Sequence, residues 1–255
     1  ECDWSSDVCS SDLLIKYDFL VVSSLQDINL CIKYINKKNG TKDLETGHFM
    51  HEGKNTYVWD LPQEKAVYDM LSNGATETVF QLNSAGSTPT VKKVKPKSIV
   101  DLATITSLER PGPKDFRDEK TGRNMVEEYI ERKHGRAVGD IPILNQLIPE
   151  TYGVLVFQEQ VTKIAKELGQ MTVEESENVR IGMGKKNKKL LDSLKPVFVS
   201  GAEKKTDKET AEKIWSMMET FARYGFNKSH AVAYVVISYA CAFFKHYYQI
   251  GRAHV

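Results

Sequence analysis

Cysteine is scarce in this sequence, and long hydrophobic runs are rare. The 255 residues include four cysteines, and none of them has the spacing of zinc or iron–sulfur ligands. Cys31 and Cys241 fall within apolar helical patterns, as is typical of proteins in a reducing cytosol. The apolar stretch at residues 231–244 is too short to span a bilayer, and residues 4–13 are too polar for a secretory signal. These features argue against a cysteine-ligated metal domain and a membrane protein.

Internal repeats, low-complexity tracts and a strong charge of one sign are also missing. The formal net charge is +1, and the length suits one large domain or two small ones. Most of the hydrophobic periodicity is helical, with few strand-like segments. We therefore predict a mainly α fold with a small β component.

The two ends of the chain are related through the genetic code. The codons ATC GGA AGA GCA CAC GTC encode residues 250–255, and their reverse complement, GAC GTG TGC TCT TCC GAT, encodes residues 7–12. Such an inverted pair is typical of sequencing adapter read as protein. We therefore exclude residues 1–12 and 250–255 from the fold prediction and expect a fragment at both ends. Without them the net charge rises from +1 to +4, because four carboxylates and one arginine are removed.

The remaining chain reads mostly as helices joined by turns. A short strand is predicted at residues 14–22, where Lys16 and Asp18 share one face. Residues 41–56 and the segment between Pro142 and Pro149 are expected to be loops, and residues 78–82 either a strand or a buried connector. Helical patterns, with stop or capping signals, cover residues 25–35, 62–71, 99–108, 124–133, 157–168, 206–224 and 231–244. Another helix is predicted to begin with a capping box at residues 172–175, to carry Arg180 and to end in the basic cluster at residues 182–189.

The segment Tyr-Gly-Phe-Asn-Lys-Ser-His at residues 224–230 combines two aromatic residues, a bend and several polar groups just before an apolar helix. If Asn227 caps that helix, the next three residues lie in its first turn, where unpaired N–H groups favour an anion. Tyr224 and Phe226 offer flat faces for a base or a sugar. The alternative is a simple cap, with the aromatic residues joining two helices.

Two basic segments are candidates for phosphate contacts. One contains four lysines at residues 92–97, and the other is Gly-Met-Gly-Lys-Lys-Asn-Lys-Lys at residues 182–189. Lysines next to flexible glycines can follow a phosphate backbone or surround a triphosphate. They are also common on solvated surfaces, so neither segment decides the function alone.

Taken together, the order of the motifs resembles the alpha subunits of bacterial DNA polymerase III, the replicative family C DNA polymerases. The resemblance covers nearly all of residues 13–249. It divides the chain into the last strand of the palm domain, at residues 13–22, and a helical fingers domain, at residues 23–249. The motifs that carry it lie at residues 14–20, 79–82, 110–113, 129–135, 152–161, 183–186 and 224–230.

The resemblance implies roles for particular residues. Asp18 would be catalytic, as one of three carboxylates that hold two Mg²⁺ ions. The residues implied to bind the incoming deoxynucleoside triphosphate are Lys16, Arg180, Tyr224, Asn227, Lys228 and His230. Contacts with DNA are implied for Arg110, Lys185, Lys186 and Lys188.

The same resemblance implies partners and a location. The implied activity is the template-directed addition of deoxynucleotides to a primer 3′-hydroxyl by nucleotidyl transfer. Primer–template DNA would be a partner, and the sliding clamp and other replisome subunits would bind regions absent from this segment. No membrane partner is implied, and the location would be the bacterial cytoplasm, at replication forks in the nucleoid.

An alternative from another class is a non-catalytic nucleic-acid-binding module. Its basic surface would use the lysines at residues 92–97 and 185–189, and Asp18 would be only a salt-bridge partner of Lys16. Steep salt dependence of DNA binding without nucleotide-induced protection would favour it. A helical nucleotide-binding protein unrelated to polymerases does not account for the order of the motifs.

One absence leads to a prediction. The family's other two metal-binding carboxylates form an Asp-x-Asp motif, and no Asp-x-Asp occurs in this chain. A single carboxylate does not assemble a two-metal site, so we expect the 255-residue chain to extend no primer. A primer-extension assay with all four deoxynucleoside triphosphates measures this, and incorporation above a no-enzyme control would contradict it.

Overall fold

The computed structural model describes residues 22–41, 44–115, 117–118, 121–221 and 225–248. The predicted palm strand lies outside them except for its last residue. Lys16, Asp18 and Tyr224 also lie outside the described residues.

Within these ranges the chain is mainly helical, as the sequence predicts. The described part contains twelve α-helices, one 3₁₀ helix and one antiparallel hairpin. The first half consists of α1 (Ser23–Lys38), β1 (His48–His51), β2 (Lys54–Tyr57), α2 (Lys65–Ser72), α3 (Ser87–Val94), α4 (Ile99–Leu108), α5 (Pro111–Asp115) and α6 (Met125–Lys133). The second half consists of α7 (Pro142–Leu147), the 3₁₀ helix (Pro149–Thr151), α8 (Gln158–Glu167), α9 (Val173–Gly184), α10 (Lys188–Ala202), α11 (Lys208–Phe221) and α12 (Lys228–Tyr248).

Local capping signals mark several helix ends, as predicted. At the start of α9, Thr172 Oγ1 accepts a hydrogen bond from the Glu175 N–H at 3.2 Å, and the Glu175 carboxylate accepts one from the Thr172 N–H at 2.8 Å. Asn124 and Glu127 form the same reciprocal box at the start of α6. Each box satisfies two N–H groups that the helix leaves unpaired, so these boundaries follow from nearby residues alone.

The expected loop at residues 41–56 is wrong, because β1 and β2 form a hairpin there. His48 pairs with Tyr57 and His51 with Lys54. The two residues between the strands, Glu52 and Gly53, have positive φ angles of 47° and 77°, as tight hairpin turns require. Each strand has only four residues, which is too short for a clear alternating pattern.

The expected loop between Pro142 and Pro149 is also wrong. Each proline begins a short helix, namely α7 and the 3₁₀ helix. Proline lacks an N–H and has a helical φ angle, so it fits the first turn of a helix as well as it ends one. Residues 78–82 form turns rather than a strand, and the buried Val79 and Leu82 make them a buried connector.

Two hydrophobic cores organise the described chain. The first surrounds α12, which packs most extensively against α4 and also contacts α1 and α2. The second is formed mainly by α8 to α11, where Trp215 and Phe198 are fully buried. Phe157 belongs to the first core and Val161 to the second, so the chain passes between the cores at the start of α8. No described helix is long and apolar enough to cross a membrane.

Close packing at Gly201 gives a stability prediction. A Cβ atom at this position of α10 would lie 1.8 Å from the carbonyl oxygen of Gly169. The backbone would have to move, so we expect Gly201→Ala to lower the free energy of unfolding by about 1–3 kcal/mol.

The matched control is Gly184→Ala, since a Cβ there meets no atom within 4 Å. This helical position should tolerate alanine or gain up to about 1 kcal/mol. Urea unfolding followed by circular dichroism measures both variants. Equal urea midpoints for the two variants would contradict the close contact between Gly201 and Gly169.

Candidate functional site

Two backbone hydrogen bonds hold the segment before α12 against the segment before α8. The Phe226 N–H donates to the Val156 carbonyl at 3.2 Å, and the Gln158 N–H donates to the Phe226 carbonyl at 2.9 Å. They make a short parallel bridge between Phe157 and Phe226. We call residues 156–159 together with 225–228 the α8–α12 junction. It brings residues 225–230 of the predicted segment beside the start of α8, which precedes them by about seventy residues.

Asn227 caps α12, which confirms the cap predicted from the sequence. Its Oδ1 accepts a hydrogen bond from the His230 N–H at 2.8 Å. The Lys228 N–H is also paired, because it donates to both oxygens of the Glu159 carboxylate at 2.9 Å, and Asn227 Nδ2 donates to the same carboxylate at 3.1 Å. The anion-favouring N-terminus of α12 is therefore occupied by a carboxylate of this chain.

The Lys228 side chain is directed toward α8 and the 3₁₀ helix. Its Nζ lies 3.4 Å from Oε1 of Glu150 and 5.6 Å from the centroid of the Phe157 ring. Burial alone would raise the pKa of Glu150, but hydrogen bonds and the nearby Lys228 charge outweigh burial and lower that pKa. The ammonium of Lys228 thus has a partner within the protein.

Arg180 reaches the junction from α9. Its Nη1 donates to Oε1 of Gln158 at 3.3 Å, and its Nε donates to the two Glu177 oxygens at 3.0 and 3.1 Å. Hydrogen bonding to Glu177 is the main reason that the pKa of Arg180 is raised. Its side chain is about one-third exposed, so the guanidinium remains open to a further anion.

Two clefts adjoin Arg180 and Gln158. One, of about 180 Å³, is also lined by Ile181, Met183 and Lys185. The other, of about 550 Å³, is also lined by Glu159, Lys163 and Asn227. Arg180 and Asn227, which are 47 positions apart in the sequence, therefore line the same cleft.

Aromatic rings and a second arginine lie near the start of α12. The Arg110 guanidinium carbon is 4.4 Å from the centroid of the Phe226 ring, and Arg110 Nε donates to the Ser107 carbonyl at 2.8 Å. Burial lowers the pKa of Arg110. The His230 ring lies 5.5 Å from Phe226 and 4.2 Å from Tyr234, measured between centroids. A cation and three rings thus follow one another at the start of α12.

The three lysines predicted to contact DNA are exposed. Lys185, Lys186 and Lys188 lie at the turn between α9 and α10, and all three are exposed. Lys185 lines the smaller cleft beside Arg180, whereas Lys186 and Lys188 line neither cleft described above. The structure thus brings Arg180, Asn227 and Lys185 to the clefts and leaves the other two lysines to face solvent.

Sequence reasoning assigned no role to Gln158, Glu159 or Glu150. The first two belong to a motif that carried the family resemblance, and Glu150 lies just before it. A polar pair directly after the buried run at residues 154–157 indicates the first turn of a helix. Their partners at the start of α12, however, are 67 to 78 residues away, and Arg180 is 22 residues from Gln158. No local pattern specifies contacts at such separations.

Comparison with known proteins agrees with the family resemblance of the sequence motifs. The family model described as the bacterial DNA polymerase III alpha subunit finger domain matches residues 24–206. DNA polymerase III subunit alpha of Aquifex aeolicus is 38% identical over 239 residues, which are 92% of this chain and 19% of that protein. The protein of the same name from Escherichia coli K12 is 35% identical over 247 residues, or 92% of this chain and 20% of that protein. The chain spans about a fifth of the length of these curated relatives.

The cap of α12 gives a prediction about stability. Asn227→Ala removes the acceptor of the His230 N–H and a donor to Glu159, so we expect the free energy of unfolding to fall by about 1 kcal/mol. Ser229→Ala, in the same exposed first turn, is the control and should change it far less. Thermal unfolding of the two variants measures the difference. A larger loss from Ser229→Ala would show that Asn227 is not the cap.

Proposed function

The chain belongs to the finger-domain family of bacterial DNA polymerase III alpha subunits, and we propose that it binds the incoming deoxynucleoside triphosphate as the fingers of a replicative DNA polymerase. The observation that carries the proposal is the α8–α12 junction, which places Arg180 and Asn227 on one cleft. A partly exposed guanidinium on this cleft, with aromatic rings near the start of α12, suits a ligand with a triphosphate and a base.

In this proposal, charge neutralisation is the main contribution of the fingers. The partly exposed Arg180 guanidinium would contact the triphosphate, because phosphoryl transfer depends on positioning and on stabilising negative charge. Asn227 and His230 would contact the nucleotide from the first turn of α12. Lys228 would contribute to nucleotide binding in one of two ways. It would release Glu150, its partner at 3.4 Å, and contact the nucleotide, or it would keep that partner and hold the α8–α12 junction in place.

Three proposed residues lie outside the described part of the chain. We propose that Lys16 and Tyr224 also contact the nucleotide and that Asp18 is a catalytic carboxylate that binds Mg²⁺. Among the described residues, no group of three or more His, Cys, Asp or Glu side chains could hold a metal ion. The described residues therefore do not fit a two-metal site, and we assign them no step of the metal chemistry.

The exposed lysines suit a different ligand. We propose that Lys185, Lys186 and Lys188 contact the phosphate backbone of primer–template DNA, since exposed ammonium groups near a cleft attract phosphates regardless of sequence. Arg110 remains a proposed DNA contact and would act beside Phe226. The sliding clamp and other replisome subunits would bind elsewhere in the intact polymerase, which would act in the bacterial cytoplasm.

Substitutions in the intact polymerase that contains this segment test the proposal. Arg180→Ala and His230→Ala should each raise the KM for deoxynucleoside triphosphates by about tenfold or more, because each removes a contact with a charged ligand. The Kd for primer–template DNA should stay unchanged. Asp18→Ala should abolish incorporation with the same DNA affinity. Steady-state primer extension and fluorescence anisotropy measure the two quantities.

The control is Arg117→Ala, because Arg117 is exposed, forms an ion pair with Glu127 and is not among the residues that line the two clefts. It should change neither KM nor Kd. Equal losses of DNA affinity in the Arg180, His230 and Asp18 variants, with an unchanged KM, would instead favour the non-catalytic nucleic-acid-binding module.

A further inference from the structure

Gln158 makes three hydrogen bonds that connect different parts of the site. Its Oε1 accepts from Arg180 Nη1 at 3.3 Å, and its Nε2 donates to the Gly225 carbonyl at 3.0 Å. Its backbone N–H donates to the Phe226 carbonyl at 2.9 Å. One side-chain amide therefore joins the α9 arginine to the residues that lead into α12.

This connection crosses between the two hydrophobic cores. Arg180 follows Val179, which is buried in the second core, whereas α12 packs in the first core through Ala231 and Val235. Gln158 is placed between Phe157, in the first core, and Val161, in the second. Side chains within one core are held by close packing. The relative position of Arg180 and the start of α12 depends instead on contacts made where the two cores meet.

The geometry points to Gln158 as a positioning residue for the proposed nucleotide site. We infer that its amide sets the distance between the Arg180 guanidinium and the first turn of α12, so that one triphosphate can meet both. The inference rests on the proposed function. Glu177 also binds Arg180, but it lies on the same helix and so restrains the arginine relative to α9 alone.

The amide group is suited to this role because it donates and accepts at the same time. A carboxylate can keep the bond from Arg180 but has no hydrogen to donate to Gly225 when ionised. A methionine has a similar length and makes neither bond of normal strength. Gln158→Glu and Gln158→Met therefore separate the Arg180 contact from the Gly225 contact without emptying the space that the side chain fills.

The test is a double-mutant cycle in the intact polymerase, with KM and kcat for nucleotide incorporation as readouts. We expect Gln158→Met to raise KM by about three- to tenfold, since it misplaces a charged contact, and to leave kcat at saturating nucleotide nearly unchanged. Gln158→Glu should also raise KM, because it loses the Gly225 contact and adds a carboxylate that competes with the triphosphate for Arg180. In an Arg180→Ala background Gln158→Met should add nothing, because a residue that acts through Arg180 has no effect without it.

The matched control is Gln146→Met, which makes the same chemical change at an exposed position of α7 and should leave KM unchanged. If Arg180→Ala raises KM and Gln158→Met does not, or if their effects multiply in the double variant, the inference is wrong and the proposed function stands. If Arg180→Ala leaves KM unchanged, the proposed function itself fails. If the Gln158→Met variant does not fold, Gln158→Glu decides the question. An unchanged KM in Gln158→Glu would show that the Gly225 contact is not needed.

Discussion

The parallel backbone bridge between Phe157 and Phe226 is the constraint on which the rest of the site depends. Its two hydrogen bonds hold the entry of α12 against the entry of α8. Both phenylalanines contribute to the first core, and Phe157 is fully buried, so the bridge lies in a setting where water competes weakly for its N–H and carbonyl groups. Every contact that connects Gln158 or Glu159 to α12 follows from this placement.

Carboxylates within the chain restrain the cations of the site. Glu177 holds Arg180, Glu150 faces Lys228, and Glu159 occupies the N–H group at the start of α12. Such pairs orient long side chains before a ligand arrives and so reduce the entropy that binding costs. A triphosphate would compete with these carboxylates, which makes binding depend on how much negative charge the ligand brings. In our proposal this arrangement favours a nucleotide with several phosphates over one with few.

Most of the helices could be predicted, although α3, α5 and α10 were missed. The successes have a local reason. Three helix starts are capped by contacts between residues three positions apart. These contacts are Thr172 with Glu175, Asn124 with Glu127, and Asn227 with the His230 N–H. Such helix starts can therefore be predicted from neighbouring residues. The hairpin at residues 48–57 was missed because its strands are only four residues long and β2 is largely exposed. The helices at Pro142 and Pro149 were missed because proline both ends helices and begins them.

The candidate site could be predicted only in part, because its contacts join residues that are far apart in the sequence. The sequence by itself determined the mainly α class, the family resemblance and the presence of Arg180, Asn227, Lys228 and His230 among the polar residues of interest. Only the tertiary structure decided that Arg180 and Asn227 line one cleft, that Glu159 fills the start of α12, and that Gln158 joins the two. These contacts connect residues that are 22 to 69 positions apart. Packing of the two cores brings them together, whereas helix periodicity and capping act only over the nearest few residues.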